Sequence, residues 1–295
     1  MKSQNKAYKY ALIAVFFWST VAAVFKIALL TLNPITLLFY ASVSSMLILF
    51  FIIVLNKQIK DVIFYIKNNL KLVLLLALIN PFLYYLVLFQ AYDALPAQEA
   101  QVINYTWALM LTFLSVIFLK QKLTINDIVA GIICYFGVLI IATKGEPFSL
   151  NFSNLNGVFL ALFSTVLWSM YWIINTKNKV EPMIGVFSNF IISVPIIGLY
   201  GYFTGTLQEV TEIKELLAAI YVGFFEMGIT FLFWLNAMKH AQSTSKIANL
   251  IFISPFLSLI FIHLLLGEEI YYSTLFGLIT IILGLIIQQL KNKFS

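Results

Sequence analysis

Ten stretches of about twenty mostly apolar residues take up well over half of this 295-residue chain, and they dictate what it can become. A helix rises about 1.5 Å per residue, so about twenty such residues cross a hydrocarbon core of about 30 Å. The stretches are 8–31, 34–55, 70–92, 98–119, 125–143, 156–176, 182–204, 215–239, 243–266 and 271–290. Charged residues make up only 10% of the chain and its mean hydropathy is +0.97. A soluble domain carries roughly a quarter charged residues. The sequence therefore predicts an all-α polytopic membrane protein with ten transmembrane helices. The first stretch is longer than a signal-peptide core and no small-residue cleavage site follows it, so it is expected to stay in the mature protein.

Lysine placement tests the span assignment independently, because cytoplasmic loops carry an excess of positive charge. With the N-terminus placed inside, fifteen of the eighteen lysines fall on cytoplasmic segments, and eight of the twelve acids fall on the outer face. Those acids are Asp93, Glu99, Glu146, Glu209, Glu212, Glu215, Glu268 and Glu269. A wrong span count would scramble this alternation. Both termini are expected in the cytoplasm. Segment 57–71 places Ile59, Val62, Ile63, Ile66 and Leu70 at helical spacing, the pattern of a short amphipathic connector lying on the membrane surface.

The formal charge of +6 comes from lysine alone, since the chain contains no arginine. That removes the bidentate contacts on which nucleic-acid recognition relies, so nucleic acid is not an expected partner. A single cysteine, Cys134, allows no intrachain disulfide and no cysteine-based zinc site, and no cofactor or metal is expected. The partners implied are a small-molecule substrate and the lipid bilayer.

Setting the two halves side by side shows a weak duplication. With an offset of 146, Ala91 faces Ala237, Leu111 faces Leu257, Leu119 faces Leu265 and Gly131 faces Gly277; with an offset of 150, Trp18-Ser19 faces Trp168-Ser169. Five spans per half is an odd number, so the second copy enters the membrane in the opposite sense, and the lysines follow that inversion. The expected organisation is two inverted five-helix repeats, residues 1–148 and 149–295. Such repeats recur in secondary transporters, where one half rocks against the other around a midplane site. The alternative is a set of unrelated apolar helices that happen to alternate.

Short phrases now carry a family resemblance: 12–20 (LIAVFFWST), 102–108 (VINYTWA), 167–172 (LWSMYW), and the Gly131-to-Gly137 spacing in the fifth span. They resemble the drug/metabolite transporter superfamily, and within it the ten-span EamA-type transporters, most closely the aromatic amino acid exporter branch. The resemblance implies a bacterial plasma-membrane carrier that exports amino acids or related compounds. Thr106 and Ala108 stand where that branch commonly carries leucine and proline, which removes the helix kink a proline would impose.

Ionisable groups inside hydrocarbon are costly and by default face a bundle interior or a cavity. Glu226 lies near the middle of the eighth span. Its carboxyl is either a proton carrier in the transport cycle or a protonated acid bonded to a neighbouring helix. The offset of 146 sets it against Asn80, another mid-span polar residue. Lys26, near the outer end of span one, either snorkels to the interface or meets a substrate carboxylate or Glu226.

Several aromatic residues lie deep rather than at the interfaces where tryptophan and tyrosine gather. Trp107 follows Asn104 by about one turn in span four, and Trp168, Trp172 and Asn175 recur at i, i+4 and i+7 in span six. Trp18 shares a side of span one with Lys26, Asn80 and Tyr84 are four apart in span three, and Glu226, Thr230 and Trp234 follow at intervals of four in span eight. Together they predict a chamber with stacking faces and a few hydrogen-bonding groups, suited to aromatic or amphipathic organic solutes. Pro81, Pro195 and Pro255 lie inside spans and are expected to bend them. Gly201 and Gly205 have the spacing of a close helix contact.

The expected function is secondary transport of small organic metabolites by alternating access. A carrier or flippase for lipid-linked or nucleotide-linked sugars is the alternative cargo reading. A membrane-embedded enzyme is disfavoured, because no His-Glu-x-x-His, phosphate loop or paired intramembrane aspartate is present.

Overall fold

The computed structural model describes residues 3–122, 124–149, 152, 154–176, 178–241, 247 and 249–289. Among these every regular element is helical. The order is α1 (Gln4–Leu29), α2 (Pro34–Leu55), α3 (Ile59–Ala77), a π turn (Leu78–Leu83), α4 (Tyr84–Ala94), α5 (Ala97–Asn104), α6 (Trp107–Leu119), α7 (Ile125–Ala142), α8 (Leu155–Asn175), α9 (Pro182–Phe203), α10 (Ile213–Tyr221), a second π turn (Val222–Glu226), α11 (Ile229–His240), a 3-10 turn (Asn249–Ile253), α12 (Ser254–Leu266) and α13 (Tyr272–Gln289). Eight helical segments are long and apolar enough to cross a membrane, and two shorter apolar helices follow them. Ten spans is the number expected from the sequence. Residues 242–246 and 248, at the expected start of span nine, lie outside the described part.

Local chemistry sets the ends. Asn33 accepts from Thr36 N ahead of Pro34 at the first position of α2, where a missing N–H costs nothing. Thr124 and Asp127 form a reciprocal capping box on α7, and Asn154 caps α8 through Gly157 N. The amphipathic connector and the third span join in one helix, α3, with a non-helical break at Asn69 where the sequence pattern changes. Asn68 and Asn69 each donate a side-chain hydrogen bond to the carbonyl four residues back, Phe64 O and Tyr65 O.

Two compact units result. The first takes the chain up to Phe82 together with Val180–Gly267; the second takes Leu83–Lys179 and the chain from Glu268 onward. Each unit draws spans from both sequence halves.

In the first unit α1 packs against α11 and α12, and α9 against α2 and α3. Ser258 Oγ donates to Ser19 O at 2.6 Å, and Ser19 Oγ reaches Ser254 Oγ at 3.2 Å. Gly223 lets the second π turn touch α2, since a Cβ there would meet Ala41 O and Ser44 Cβ. Pro255 falls in the first turn of α12, directly after the 3-10 turn, where its missing N–H costs no helical hydrogen bond. Pro195 does lie inside α9. The expected close contact at Gly201 and Gly205 resolves differently: Gly201 packs on Leu207, while Gly205 is a turn residue with φ +66° and open space around it.

In the second unit α8 packs against α4, α5 and α6, and α7 lies along α13. Small residues make the last pair close. A Cβ at Gly137 would sit 2.8 Å from Gly277 O, and at Gly284 a Cβ would meet Ala130 O at 3.1 Å and the Cys134 side chain. Cys134 Sγ donates to Ile281 O at 3.3 Å. At one end Glu268 accepts from Ala97 N and Gln98 Nε2, and Gln98 bonds Glu269 O and Tyr271 N, so the buried start of α5 has its first N–H satisfied by a side chain.

These contacts give a stability test. Gly137→Val should destabilise the protein by about 1–3 kcal/mol or more, because the added side chain meets backbone that cannot move aside. Gly205→Ala meets no neighbour and pays only for its left-handed backbone, about 1 kcal/mol. Melting curves in detergent, read with a thiol-reactive fluorophore on the lone buried Cys134, compare the two; equal shifts would argue against a tight α7–α13 contact.

Candidate substrate site

Three spans are interrupted in their interiors, and the described part of a fourth enters its helix through a 3-10 turn. In span three the π turn puts Asn80 at φ −144° and ψ 121°, directly before Pro81, with its Oδ1 buried and without a hydrogen-bond partner. In span eight the second π turn ends at the half-buried Glu226, and Gly228, at φ −117° and ψ −99°, completes the break. Span four breaks at Tyr105-Thr106 between α5 and α6, although no proline is present. Span nine passes through the 3-10 turn before α12.

These breaks change two sequence-based expectations. Asn80 and Tyr84 do not share a regular helix face, since Asn80 is non-helical and Tyr84 opens the next helix. Glu226 is likewise separated by the Gly228 break from Thr230 and Trp234, which share α11. Glu99, assigned by the charge pattern to the outer side of the bilayer, is 0% exposed in α5, a helix whose residues 97–103 are all buried. Gln101 beside it is buried with its Oε1 unpartnered.

The first unit gathers one aromatic group. Trp18 lies 5.5 Å from Trp234 and edge-on to Phe231 at 5.7 Å. One residue earlier, Phe17 stacks on Phe225 at 4.3 Å, and Phe225 adjoins Tyr221 at 4.6 Å. The Tyr221 and Thr20 hydroxyls are hydrogen-bonded at 2.7 Å. Thr230, one turn before Trp234, is fully buried with its hydroxyl unpartnered. Lys26 is half-buried in the last turn of α1.

The second unit gathers another, with Trp168 at its centre. Tyr84 stacks on Trp168 at 4.7 Å, Tyr171 stacks at 5.7 Å, and Trp107 and Trp172 meet it edge-on at 6.5 and 5.8 Å. Offset stacks and edge-to-face contacts are the favoured aromatic geometries. α8 also bridges the break in span four: Asn104 Nδ2 donates to Ser164 Oγ at 2.8 Å, and Ser169 Oγ donates to Trp107 O at 3.0 Å. Asn175 is committed to its own helix, donating to Tyr171 O. Tyr171, Tyr221 and Phe225 were not among the residues singled out from sequence; their spacing does not distinguish them from packing aromatics.

Buried aromatic walls with unpartnered amide and hydroxyl oxygens can take up an organic solute by stacking and by a few directed hydrogen bonds. Among the described residues no three His, Cys, Asp or Glu side chains come together as a metal site would require.

Among the described residues, apolar helical spans with polar residues at interior breaks form the pattern of membrane transporters of small molecules. The EamA-like transporter family model matches residues 5–143 and again 155–288, and the chain belongs to that family. An uncharacterized transporter of Archaeoglobus fulgidus is 25% identical over 95% of this chain and 97% of its own. One from Clostridium kluyveri is 27% identical over 67% of this chain, which spans 65% of that relative's length. The uncharacterized transporter YvbV of Bacillus subtilis is 23% identical over 77% of this chain and 74% of its own. A solved crystal structure aligns with a TM-score of 0.67 over 98% of both chains at 16% identity, which bears on the fold alone.

Trp168→Ala should destabilise the protein by about 3 kcal/mol, because it removes the ring that four others contact. Trp172→Ala, at a side chain 39% exposed, should cost well under half of that. Equal losses in thermal unfolding would remove Trp168 from the centre of the cluster.

Proposed function

We propose that this protein is a secondary transporter that moves small organic metabolites by alternating access, exporting amino acids or related amphipathic compounds. The observation that carries the reading is the recurrence of interior breaks. Shifted by 146 residues, Asn80 falls on Glu226 and Phe82 on Gly228, and the Tyr105-Thr106 break falls within the 3-10 turn Asn249–Ile253. Broken helices whose freed backbone lines a cavity are the places where transporters bind cargo.

The same recurrence supports two inverted five-helix repeats, 1–148 and 149–295. The two stretches matched by the family model, one in each half, favour that division as well. So does the contact of α7 with α13. Under the offset, Gly277 corresponds to Gly131, and Gly284 corresponds within one residue to Gly137. Gly137 meets Gly277, while Gly284 meets Ala130 and Cys134 near Gly131. A two-fold relation would bring such patches together, and it is approximate here, since a Cβ at Gly131 would meet Phe113 of α6.

Trp18, Asn80, Tyr84, Asn104, Trp107, Trp168, Trp172, Asn175, Thr230 and Trp234 are the proposed substrate-contacting residues. Glu226 is the proposed proton-coupling group, with Lys26 as a charge partner for a substrate carboxylate. The lysine bias favours both termini in the cytoplasm, and relatives in Clostridium kluyveri and Bacillus subtilis favour a bacterial plasma membrane.

Counterflow in proteoliposomes tests the reading. Vesicles preloaded with single amino acids or amphipathic amines should show saturable uptake of labelled substrate. Glu226→Gln should keep exchange and lose its response to a pH gradient, and Trp107→Ala should weaken substrate affinity about tenfold. An unchanged gradient response in Glu226→Gln would end the proton-coupling role. Failure of the whole panel with folded protein would end the amino acid assignment and move the test to lipid-linked and nucleotide-linked sugars.

A further inference from the structure

The first unit contains an apolar cleft whose lining shares no residue with that unit's aromatic group. It has a volume of about 370 Å³, within the size range of small-ligand sites, and lies between α2, the first half of α3 and α9. Its walls are Met46, Leu47, Phe50, Ile59, Val62, Ile63, Phe187 and Ile191, with no polar side chain among them. A solute needing hydrogen bonds finds nothing here; hydrocarbon does.

The rim is cationic. Ile59 and Ile63 line the cleft from the amphipathic part of α3, before the Asn69 break. At 100° per residue, Lys60 and Lys67 lie within about 20° of each other on the flank next to Ile63, and Asp61 points away from them on the helix wheel. Lys57 stands in the turn just ahead, with φ 57°. Lys57, Lys60 and Lys67 are exposed, and none of them forms an ion pair among the described residues. Phe64, 71% exposed, adjoins the same flank and suits an interfacial depth.

We propose that this cleft binds an anionic phospholipid, with an acyl chain along the apolar walls and the phosphate held by Lys60 and Lys67. Charge complementarity selects the occupant. A zwitterionic lipid would fill the cleft but leave the lysine pair uncompensated, and an apolar partner helix would have no use for it. Lysine meets phosphate as a flexible point charge and needs no bidentate geometry, which fits a chain without arginine. The site is independent of which cargo the protein carries.

Native mass spectrometry of the full-length protein, released from micelles containing equal phosphatidylglycerol and phosphatidylcholine, tests the proposal. The wild type should retain one phosphatidylglycerol in preference to phosphatidylcholine. Lys60→Gln with Lys67→Gln should lower that preference on the order of tenfold while keeping the apolar walls. Ile63→Trp should fill the cleft and reduce retention of both lipids, with thermal unfolding checked to confirm that each variant is folded. Equal retention of the two lipids by the wild type would overturn the proposal. So would a phosphatidylglycerol preference that survives Ile63→Trp, since it would come from surface charge without the cleft. A lipid-free dimer lost on Ile63→Trp would assign the cleft to a second copy of this chain and overturn the lipid site.

Discussion

Every backbone N–H and C=O inside a bilayer must find a partner within the protein, because hydrocarbon offers none. The rest of the structure depends on this constraint. It forces the ten spans to be helical, and it makes each departure from helical geometry costly. The departures here are not scattered. They fall at Asn80-Pro81, at Glu226 to Gly228, at Tyr105-Thr106 and at Asn249–Ile253, with a buried or half-buried polar side chain at the first two. At Tyr105-Thr106, α8 packs across the irregular turn: Ser169 donates to the backbone Trp107 O, and Asn104 donates from its side chain to Ser164 Oγ.

Association of helices in lipid gains little from hydrophobicity, so close packing must supply it. The α7–α13 contact shows how. Gly137, Gly277 and Gly284 bring two backbones within reach of each other, and the single cysteine of the chain is the side chain that fits between them. α1 uses serine instead: Ser19, Ser254 and Ser258 hydrogen-bond across to α12 and cover their own hydroxyls in doing so. Dispersion between small surfaces and shared hydroxyls thus do in the membrane what a hydrophobic core does in water.

Much of this was legible in the sequence because the bilayer imposes a single long-range ruler. Span count, span ends and the helical connector before residue 70 follow from hydropathy, and the Asn69 break lies where the amphipathic pattern gives way to a continuous apolar run. Trp168, Trp107 and Tyr84 could be picked out because deep aromatics depart from the interfacial rule, and they do meet one another. Regular 3.6-residue periodicity, however, assumes an unbroken helix. It therefore does not carry across Asn80, whose backbone is non-helical, or from Glu226 across Gly228 to Thr230 and Trp234.

The span-four break shows why resemblance and physics must be kept apart. The related branch commonly carries a proline there, and its replacement by Ala108 predicts a straighter helix. The helix nevertheless tightens at Tyr105-Thr106, where both residues keep right-handed dihedrals and Thr106 N bonds Ile103 O, three residues back. Proline is one way to open a helix; another is a hydroxyl that competes for a backbone carbonyl. Thr106 does this, with its Oγ1 donating to Ile103 O at 2.8 Å while its backbone N–H shares the same carbonyl. The break therefore belongs to the tertiary arrangement of α5, α6 and α8, and substitution at one residue can change its chemistry without removing it. If the breaks are where cargo is held, as proposed, that separation leaves room for the lining to vary while the architecture persists.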